Sequence, residues 1–295
     1  MNNLIVVLDD LGQRAINLLQ NSPHAISFDP KDLPLATAII TRSTKITKDM
    51  ILTAPNLTII SRAGVGMDNI DVEFAHSQNI LTFNAKGGNA VNAAETTMGL
   101  ILSLAHKITH AHHLLYGHKK WERGLLTEGF EIANKTLGII GCGNVGLRVA
   151  QFAHAFNMHI LVYDPYQSNI PAFATQIQDL KQLLSESDLI TLHTPLTKET
   201  MYMIGEQELS YCKKNAYIIN ACRGKVIKES ALINALKNHH IAGAALDVFD
   251  KEPIPENSEL YDLDNIIIIP HLGGAGIECR NRVSQLAVEN VLNKL

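Results

Sequence analysis

The chain has 295 residues, of which 46 % are hydrophobic and 18 % are charged, which predicts well-formed cores and excludes a disordered protein. The net charge of -4 argues against attraction of the whole molecule to nucleic acid or an anionic membrane, so a bound anion would need a local cluster of cations. The length allows two domains. No apolar run suggests a signal peptide or a membrane span. The four scattered cysteines predict reduced thiols in a cytoplasmic protein.

Short apolar runs alternate with helical patterns, which is typical of parallel sheets covered by helices. In the first third of the chain we predict strands at Leu4–Leu8, Thr37–Ile40, Thr58–Ser61 and Ile80–Thr82, with helices such as Gly12–Leu19 and Asp71–Gln78 between them. A single long helix is then predicted at about 93–116, because apolar residues recur there at near-helical spacing.

A second series of six strands follows this helix. It comprises Leu137–Ile140, Ile160–Tyr163, Leu189–His193, Ala216–Asn220, Gly243–Asp247 and Ile266–Ile269. An amphipathic helix at about 278–292 closes the chain, and we expect it to return and pack on the first unit. The pattern predicts two α/β units, with the second unit in the middle of the sequence.

The first strand of this series runs directly into a Gly-x-Gly-x-x-Gly loop, Gly141–Gly146, which is followed by a helix to about Phe156. In such a loop the first glycine permits a tight turn, Gly143 lets a pyrophosphate approach, and Gly146 lets the helix pack on the strand. Because the strand, the loop and the helix occur together, we predict a dinucleotide site and not an ordinary glycine-rich turn.

Asp164 ends the next strand, about 20 residues after the loop, where an acid binds the ribose hydroxyls and repels a 2′-phosphate. No arginine follows Asp164 directly. We therefore expect NAD as the cofactor and not NADP.

Three chemically distinctive residues follow later strands of this series. Arg223 follows Ala216–Asn220, Glu252 follows Gly243–Asp247, and His271 follows Ile266–Ile269. Taken singly, each is more often a surface or structural residue than a functional one. Ligands of open parallel sheets bind at the carboxyl ends of the strands, so together they predict a catalytic site beside the nucleotide.

These side chains suit the oxidation of a 2-hydroxy acid. Arg223 can bind the substrate carboxylate, and His271 can act as general base in oxidation and general acid in reduction. Glu252 can accept a hydrogen bond from the other ring nitrogen of His271 and so fix its tautomer.

On these motifs the sequence resembles the D-isomer-specific 2-hydroxy-acid dehydrogenases, and within them the branch that acts on D-3-phosphoglycerate. Further matching stretches are Thr41-Arg42-Ser43, Arg62–Asp71, Ala94-Glu95-Thr96, Trp121-Glu122-Arg123, Asn220–Gly224, Ala242–Pro253 and Pro270–Gly273. The resemblance implies a Rossmann nucleotide-binding domain, 94–271, inserted into a flavodoxin-like substrate domain, 1–93 and 272–295. It also implies a homodimer formed through the nucleotide-binding domain. Since the sequence ends after its last helix, we expect a short form without the C-terminal regulatory domain of larger relatives.

The resemblance also assigns individual residues. The catalytic set is Arg223, Glu252 and His271. Cofactor contacts are Gly141, Gly143, Asn144, Val145, Gly146, Asp164, Thr97, His193, Thr194, Pro195, Ala221, Cys222, Asp247, Gly273 and Gly274. Substrate contacts are Arg42, Arg62, Val65, Gly66 and Arg123, of which the three arginines would bind a phosphate and the two backbone N–H groups the carboxylate.

The substrate stays open at this point. D-3-phosphoglycerate, as in serine biosynthesis, is favoured over another D-2-hydroxy acid such as glycerate or lactate, because three arginines occur in matching contexts. A different class of protein, an NAD-sensing corepressor, is the remaining alternative. We predict no metal site, although His106, His110 and His113 would share one face of a continuous helix.

Overall fold

The computed structural model describes residues 3–121, 124, 129–167 and 169–295. The chain divides into two compact units, one formed by residues 1–92 and 274–295 and the other by residues 93–273. Each unit is built on its own parallel sheet. None of the helices within the described ranges has both the length and the hydrophobicity needed to cross a bilayer.

The first unit contains a five-stranded parallel sheet in the order β2-β1-β3-β4-β5. Its strands are β1 (Leu4–Val7), β2 (Ala25–Ser27), β3 (Ala38–Thr41), β4 (Ile59–Arg62) and β5 (Leu81–Asn84). Its helices are α1 (Gln13–Gln20), α2 (Lys48–Leu52), α3 (Val72–Ser77) and, from the end of the chain, α10 (Ile277–Leu292). The inner face of α10 packs beside α1 through Ala287, Val288 and Val291, so the predicted return of the last helix is confirmed.

The second unit contains a seven-stranded parallel sheet in the order β12-β11-β10-β9-β6-β7-β8. Its strands are β6 (Thr136–Ile140), β7 (His159–Tyr163), β8 (Ala174–Gln176), β9 (Leu189–Leu192), β10 (Tyr217–Asn220), β11 (Gly243–Leu246) and β12 (Ile266–Ile268). Its helices are α5 (Ile108–His112), α6 (Asn144–Ala155), α7 (Leu180–Glu186), α8 (Glu206–Tyr211) and α9 (Glu229–Lys237), together with most of α4 (Ala90–Ala105).

The central strands of this sheet are buried on both faces, because successive side chains point to opposite sides of a strand. Ile139 and Ile219 belong to the core on the side of α4 and α6, whereas Ile140 and Ile218 belong to the core on the side of α8 and α9. This double burial explains why the central strands read as continuous apolar runs in the sequence. It also leaves their carboxyl ends as the positions where polar side chains can be presented to a ligand.

The two strands that sequence reasoning missed, β2 and β8, lie at sheet edges. Each has three residues, and neither contains a fully buried residue. Their sequences, Ala25-Ile26-Ser27 and Ala174-Thr175-Gln176, therefore lack the apolar run by which we recognised the other strands.

The prediction of one long helix at about 93–116 is wrong. The α4 helix ends at Ala105, Lys107 adopts a left-handed conformation with φ of 54°, and a π-helical turn, His113–Gly117, follows α5. The N–H group of Phe130 donates to the Ala105 carbonyl at 2.9 Å, which provides a partner at the end of the helix. The break also separates His106 from His110 and His113, so these rings do not share one helical face.

Candidate active site

The Gly141–Gly146 loop links β6 to α6, and each of its glycines meets a different requirement. Gly141 has φ of +90°, and a Cβ there would lie 2.8 Å from the His193 carbonyl oxygen. A Cβ on Gly146 would lie 2.1 Å from the Gly141 carbonyl oxygen, so only glycine lets α6 approach β6 this closely. At Gly143 a Cβ would meet no atom within 4 Å, so the protein itself does not require glycine at this position.

Open space at Gly143 suits a ligand that approaches the backbone closely. The first turn of α6, which includes Asn144 and Val145, receives no side-chain cap, and its N–H groups are therefore suited to an anion. A dinucleotide pyrophosphate matches both features. The residues present thus fit the cofactor that the glycine spacing predicts.

Asp164 stands directly after β7 and is tied to this loop. One carboxylate oxygen accepts the N–H of Cys142 at 2.8 Å, and the other accepts the N–H groups of Tyr166 and Gln167 at 2.9 and 3.1 Å. A carboxylate has about four acceptor positions, and three are occupied, so capacity remains for about one ribose hydroxyl. The carboxylate of Asp164 is therefore hydrogen-bonded directly to the backbone of the glycine loop.

His193 lies at the carboxyl end of β9, next to the glycine loop, and is followed by Thr194 and Pro195. Its N–H donates to the Ile140 carbonyl at 2.8 Å, and its ring Nε2 lies 3.0 Å from the Thr191 hydroxyl. Although part of the residue reaches the surface, desolvation of the ring lowers the pKa of His193 to about 3. The ring is therefore neutral at physiological pH and adds no charge to this edge.

The remaining predicted cofactor contacts divide into two groups. Thr97 is fully buried, and its hydroxyl donates to the Ala93 carbonyl within α4 at 2.8 Å, so in this structure it braces its own helix. Ala221 and Cys222 follow β10, and burial raises the pKa of the Cys222 thiol in spite of nearby Arg223. Cys222 is therefore a neutral thiol and not a nucleophile.

Asp247 follows β11 and anchors the segment that carries His271. Its carboxylate accepts the N–H groups of Leu272 and Gly273, the latter at 2.7 Å. Burial raises the pKa of Asp247, while these two N–H groups and His271 act in the opposite direction. Gly274 begins the second segment of the other unit.

His271 and Glu252 form a direct pair. The ring Nδ1 of His271 lies 2.6 Å from one Glu252 carboxylate oxygen, and the other oxygen accepts the Phe249 N–H at 3.1 Å. His271 has φ of 53°, a left-handed conformation that is uncommon for residues other than glycine, although histidine adopts it more often than most. Since Nδ1 is engaged by Glu252, Nε2 is the ring nitrogen that remains for proton exchange.

The pair shifts the pKa of both partners toward the charged forms. The hydrogen bond that His271 donates to Glu252 raises the pKa of His271, assisted by the charges of Glu252 and Asp247, whereas desolvation and Arg223 lower it. Burial would raise the pKa of Glu252, but its hydrogen bonds to His271 and Phe249 and the charges of His271 and Arg223 lower it. Glu252 is therefore an anion that stabilises a protonated His271.

Arg223 lies on a tight turn after β10. The Asn220 side chain holds this turn by accepting the Cys222 N–H at 3.1 Å and donating to the Arg223 carbonyl at 2.9 Å. A Cβ on the next residue, Gly224, would lie 2.0 Å from the Phe249 carbonyl, so this turn packs directly on the segment that leads to Glu252. The backbone thereby fixes the arginine turn against the segment that holds the carboxylate.

The first unit carries four of the predicted substrate residues. Arg62 ends β4 and donates from Nε to the Arg42 carbonyl at 3.1 Å and from a terminal nitrogen to the Gly66 carbonyl. In the described part of the chain, the N–H groups of Val65 and Gly66 donate to no protein acceptor. Arg123, the fifth predicted substrate residue, lies outside the described residues.

Sequence reasoning missed Asn220 and Asp9. Asp9 follows β1, and its carboxylate accepts the N–H groups of Arg42, Ser43 and Thr44. Asp9 lies after a predicted strand just as Arg223 does, so the rule that ligands bind at the carboxyl ends of parallel strands would have indicated Asp9 as well.

Among the described residues there is no group of three or more histidine, cysteine, aspartate or glutamate side chains that could hold a metal ion. The rings of His113 and His118 do form a pair, with their Nε2 atoms 3.0 Å apart in a T-shaped contact at the π-helical turn, but two histidines do not make such a group.

Comparison with known proteins places this site in a family. Residues 98–273 match the family model described as D-isomer specific 2-hydroxyacid dehydrogenase, NAD binding domain. Hydroxypyruvate reductase from Thermotoga maritima is 38 % identical over 302 residues, which cover 98 % of this chain and 97 % of the relative. The solved NAD-dependent formate dehydrogenase from Staphylococcus aureus, in complex with NAD, superposes with a TM-score of 0.85 at 27 % identity, covering 99 % of this chain and 95 % of the other.

D-3-phosphoglycerate dehydrogenase from Archaeoglobus fulgidus is 40 % identical over 300 residues, which cover 98 % of this chain but 56 % of the relative. The chain thus spans about half the length of several curated relatives that it matches. The family match extends over most of the unit that contains the glycine loop, Arg223, Glu252 and His271. The chain therefore belongs to the D-isomer specific 2-hydroxyacid dehydrogenase family, and its residues 98–273 form the NAD-binding domain of that family.

Proposed function

We propose that this protein is an NAD-dependent dehydrogenase that oxidises D-3-phosphoglycerate to 3-phosphohydroxypyruvate. The observation that carries the dehydrogenase activity is the 2.6 Å contact between His271 Nδ1 and the Glu252 carboxylate, formed on strand ends of the sheet that also carries the glycine loop. Because Nδ1 of His271 contacts Glu252, Nε2 is the ring nitrogen that can accept the proton of the substrate.

In the proposed mechanism His271, Glu252 and Arg223 have separate tasks. Arg223 binds the substrate carboxylate by charge-assisted hydrogen bonds, which orients the C2 hydroxyl. His271 removes the hydroxyl proton through Nε2, and Glu252 stabilises the resulting imidazolium. NAD, when bound, accepts the hydride that leaves C2. In the reverse direction His271 starts protonated and donates its proton to the keto oxygen.

The phosphate preference rests on the first unit. Arg42 and Arg62 lie at the ends of neighbouring strands, and the N–H groups of Val65 and Gly66 are suited to bind the substrate carboxylate. A substrate with a carboxylate and a phosphate requires more cationic groups than a simple hydroxy acid does. The two units would then have the roles of a substrate domain and an NAD-binding domain.

Reduction of hydroxypyruvate is the second candidate. The observation that favours it is the 38 % identity to hydroxypyruvate reductase over 302 residues, which is close to the 40 % identity to D-3-phosphoglycerate dehydrogenase over 300 residues. The same three residues would perform that reaction in the reducing direction.

A homodimer fits the exposed apolar surface of the NAD-binding domain. The segment after α4 exposes Ile108, Leu115, Tyr116 and Trp121, with Tyr116 81 % and Trp121 78 % exposed. We propose that a second copy of this chain covers the segment. Light scattering of the wild type and of Tyr116→Glu tests this, since a wild type that is monomeric at micromolar concentration contradicts it.

Turnover with a panel of substrates tests the function. With NAD, D-3-phosphoglycerate should be oxidised with a kcat/KM at least tenfold above that of D-glycerate, and with NADH, 3-phosphohydroxypyruvate should be reduced faster than hydroxypyruvate. Equal values for the phosphorylated and unphosphorylated acids would instead assign the protein to the second candidate.

The His271→Asn variant tests the mechanism. The proton acceptor is lost, so we expect kcat to fall by about 10²- to 10⁴-fold, while the Kd for NADH stays within twofold. Protein that binds NADH but turns over none of these acids would favour a sensor of NAD over an enzyme.

A further inference from the structure

The carboxyl edge of the first unit's sheet contains a reversal of strand order. The chain leaves β1 for β2 on one side and returns to β3 on the other, after which it continues in one direction through β4 and β5. In open α/β sheets such a reversal forms a crevice at the carboxyl ends of the strands, where ligands bind. We call this place the β1/β3 crevice and define it by Asp9 and Asp10 after β1 and by Arg42 after β3.

Asp9 fixes the backbone of this crevice. It accepts the Arg42 N–H at 2.7 Å and the Thr44 hydroxyl at 3.0 Å, besides the other donors of the loop. Burial would raise the pKa of Asp9, but hydrogen bonds from the backbone of Arg42 and Thr44 and from the hydroxyls of Thr41 and Thr44 outweigh it and lower the pKa. Asp9 is therefore an anion whose charge is already compensated by the loop that it holds.

The guanidinium of Arg42 is compensated less fully, because it makes no direct contact of this kind. It is half-buried, and in the part of the chain that the structure describes it has neither a hydrogen bond nor an ion pair. Burial lowers the pKa of Arg42 most and the positive charge of Arg280 lowers it further, while the charges of Cys279, Asp9 and Asp10 offset this only in part. A partly desolvated guanidinium next to a like charge is unfavourable unless an anion joins them.

Arg280 enters the crevice from the first turn of α10. Its Nη2 lies 3.3 Å from an Asp10 carboxylate oxygen, at the exposed side of the crevice. The other Asp10 oxygen accepts the Gly12 N–H at 2.8 Å. An exposed ion pair of this kind adds little to stability, so Arg280 can exchange Asp10 for a stronger anion at small cost.

We propose that Arg280 is a specificity-determining residue that binds the phosphate of the substrate together with Arg42 in the β1/β3 crevice, and that Asp10 holds Arg280 there until the phosphate arrives. A phosphomonoester carries a charge of about −1.5 to −2 and three acceptor oxygens, enough for two guanidinium groups at once. The inference rests on the proposed function, because it assigns a residue to the phosphate of that substrate. Sequence reasoning did not single out Arg280, which lies on a helix far along the chain from Arg42.

Arg280→Gln is the first test, with Lys294→Gln as its control. Lys294 is exposed at the far end of α10, about 20 Å along the helix, so its removal makes the same change in net charge away from the crevice. Arg280→Gln should lower the ratio of kcat/KM for D-3-phosphoglycerate to kcat/KM for D-glycerate by about 10- to 100-fold, as expected for a lost charge-assisted hydrogen bond. Lys294→Gln should leave the ratio unchanged.

Asp10→Asn is the second test and works in the opposite direction. Asparagine keeps an oxygen for the Gly12 N–H but releases Arg280, so the KM for D-3-phosphoglycerate should fall about two- to fivefold. Misfolding would not produce a gain of this kind. An unchanged ratio in Arg280→Gln, or an unchanged KM in Asp10→Asn, overturns the inference.

Direct binding separates the inference from the proposed function. D-3-phosphoglycerate is titrated calorimetrically into protein saturated with NADH, where no turnover occurs, and its Kd should rise at least tenfold in Arg280→Gln. If the wild type binds D-3-phosphoglycerate in this Arg280-dependent way but does not oxidise it, the phosphate site stands and the proposed reaction fails. If the wild type oxidises it but Arg280→Gln binds it as tightly, the reaction stands and the phosphate site fails.

Discussion

Replacement of Glu252 by glutamine should shift the pH dependence of hydroxy-acid oxidation toward acid. Glutamine has nearly the shape of glutamate, and its carbonyl oxygen can still accept the proton on His271 Nδ1. What is lost is the negative charge 2.6 Å from the ring. The hydrogen bond to the Glu252 carboxylate is the largest cause of the raised pKa of His271 and the charge of Glu252 adds to it, so a hydrogen bond to a neutral amide oxygen should raise this pKa less. Since oxidation requires neutral His271, the rate rises with pH through this pKa, and a lower pKa moves that rise to lower pH.

The magnitude follows from the exposure of the pair. A hydrogen bond to a charged group contributes about 1.5–3 kcal/mol when buried, and an exposed ion pair about 0.2–1 kcal/mol. The His271 and Glu252 side chains are 49 % and 37 % exposed, so a value of about 1–1.5 kcal/mol between these limits applies. The free energy that favours protonated His271 should fall by about this amount, so the midpoint should move to lower pH.

The assay is kcat/KM for oxidation of the preferred hydroxy acid at saturating NAD, measured from about pH 5.5 to 9.5 in wild type and Glu252→Gln. A substrate deuterated at C2 should show a primary isotope effect in both proteins, which establishes that hydride transfer limits the rate. In the reducing direction the dependence inverts, because His271 must then be protonated, and the fall in rate at high pH should also begin at lower pH in the variant.

A midpoint that stays in place or moves to higher pH would refute the reasoning. It would mean either that another group supplies the observed pKa or that Glu252 does not stabilise the imidazolium. A lower maximal kcat/KM at high pH, without a shift of the midpoint, would show that Glu252 orients the ring of His271 but does not alter its pKa.

Three further predictions concern the NAD-binding domain. Gly143→Ala should raise the Kd for NADH at least tenfold without loss of thermal stability, because the φ of −74° at Gly143 suits alanine and the added methyl group meets no protein atom. Gly99→Ala is the control: a methyl group on Gly99, within α4, also meets no protein atom, and the Kd for NADH should stay unchanged. Asp164→Ser should lower the ratio of kcat/KM with NAD to kcat/KM with NADP at least tenfold, since the repulsion of a 2′-phosphate is removed, and a constant ratio would contradict the role of Asp164. The unfolding free energy of the wild type should fall between pH 6.5 and about 3, where unfolded but not folded His193 binds a proton, and urea titrations at pH 7 and 4.5 should show a smaller fall in His193→Asn.

The sequence predicts most of the central architecture because double burial produces a local pattern. Strands such as Gly243–Leu246 are apolar and buried throughout, and this pattern can be recognised without knowledge of distant partners. The edge strands were missed because their pairing depends on a neighbour and not on their own composition. The end of α4 before Lys107 was missed for a related reason, since the hydrogen bond to its last carbonyl, that of Ala105, comes from the N–H group of Phe130, far along the chain.

The composition of the candidate site was also predictable, but its fine geometry was not. Strand ends bring Arg223, Glu252 and His271 to one edge of one sheet, so topology alone suggests their grouping. The turn held by Asn220 and the close packing of Gly224 on Phe249 depend on tertiary distances of a few ångström. Arg280 was missed because its role arises from the contact of α10 with the first unit, which a linear pattern does not encode.

The left-handed backbone of His271 has a consequence for the relation between stability and activity. A residue other than glycine in this conformation costs about 1–3 kcal/mol, although asparagine, aspartate and histidine occur there more often than other residues. Glycine at position 271 would remove this cost but would also remove the contact of the ring with Glu252, so His271→Gly should melt close to the temperature of the wild type. A histidine in this conformation therefore adds little to stability, and selection for turnover is what would retain it.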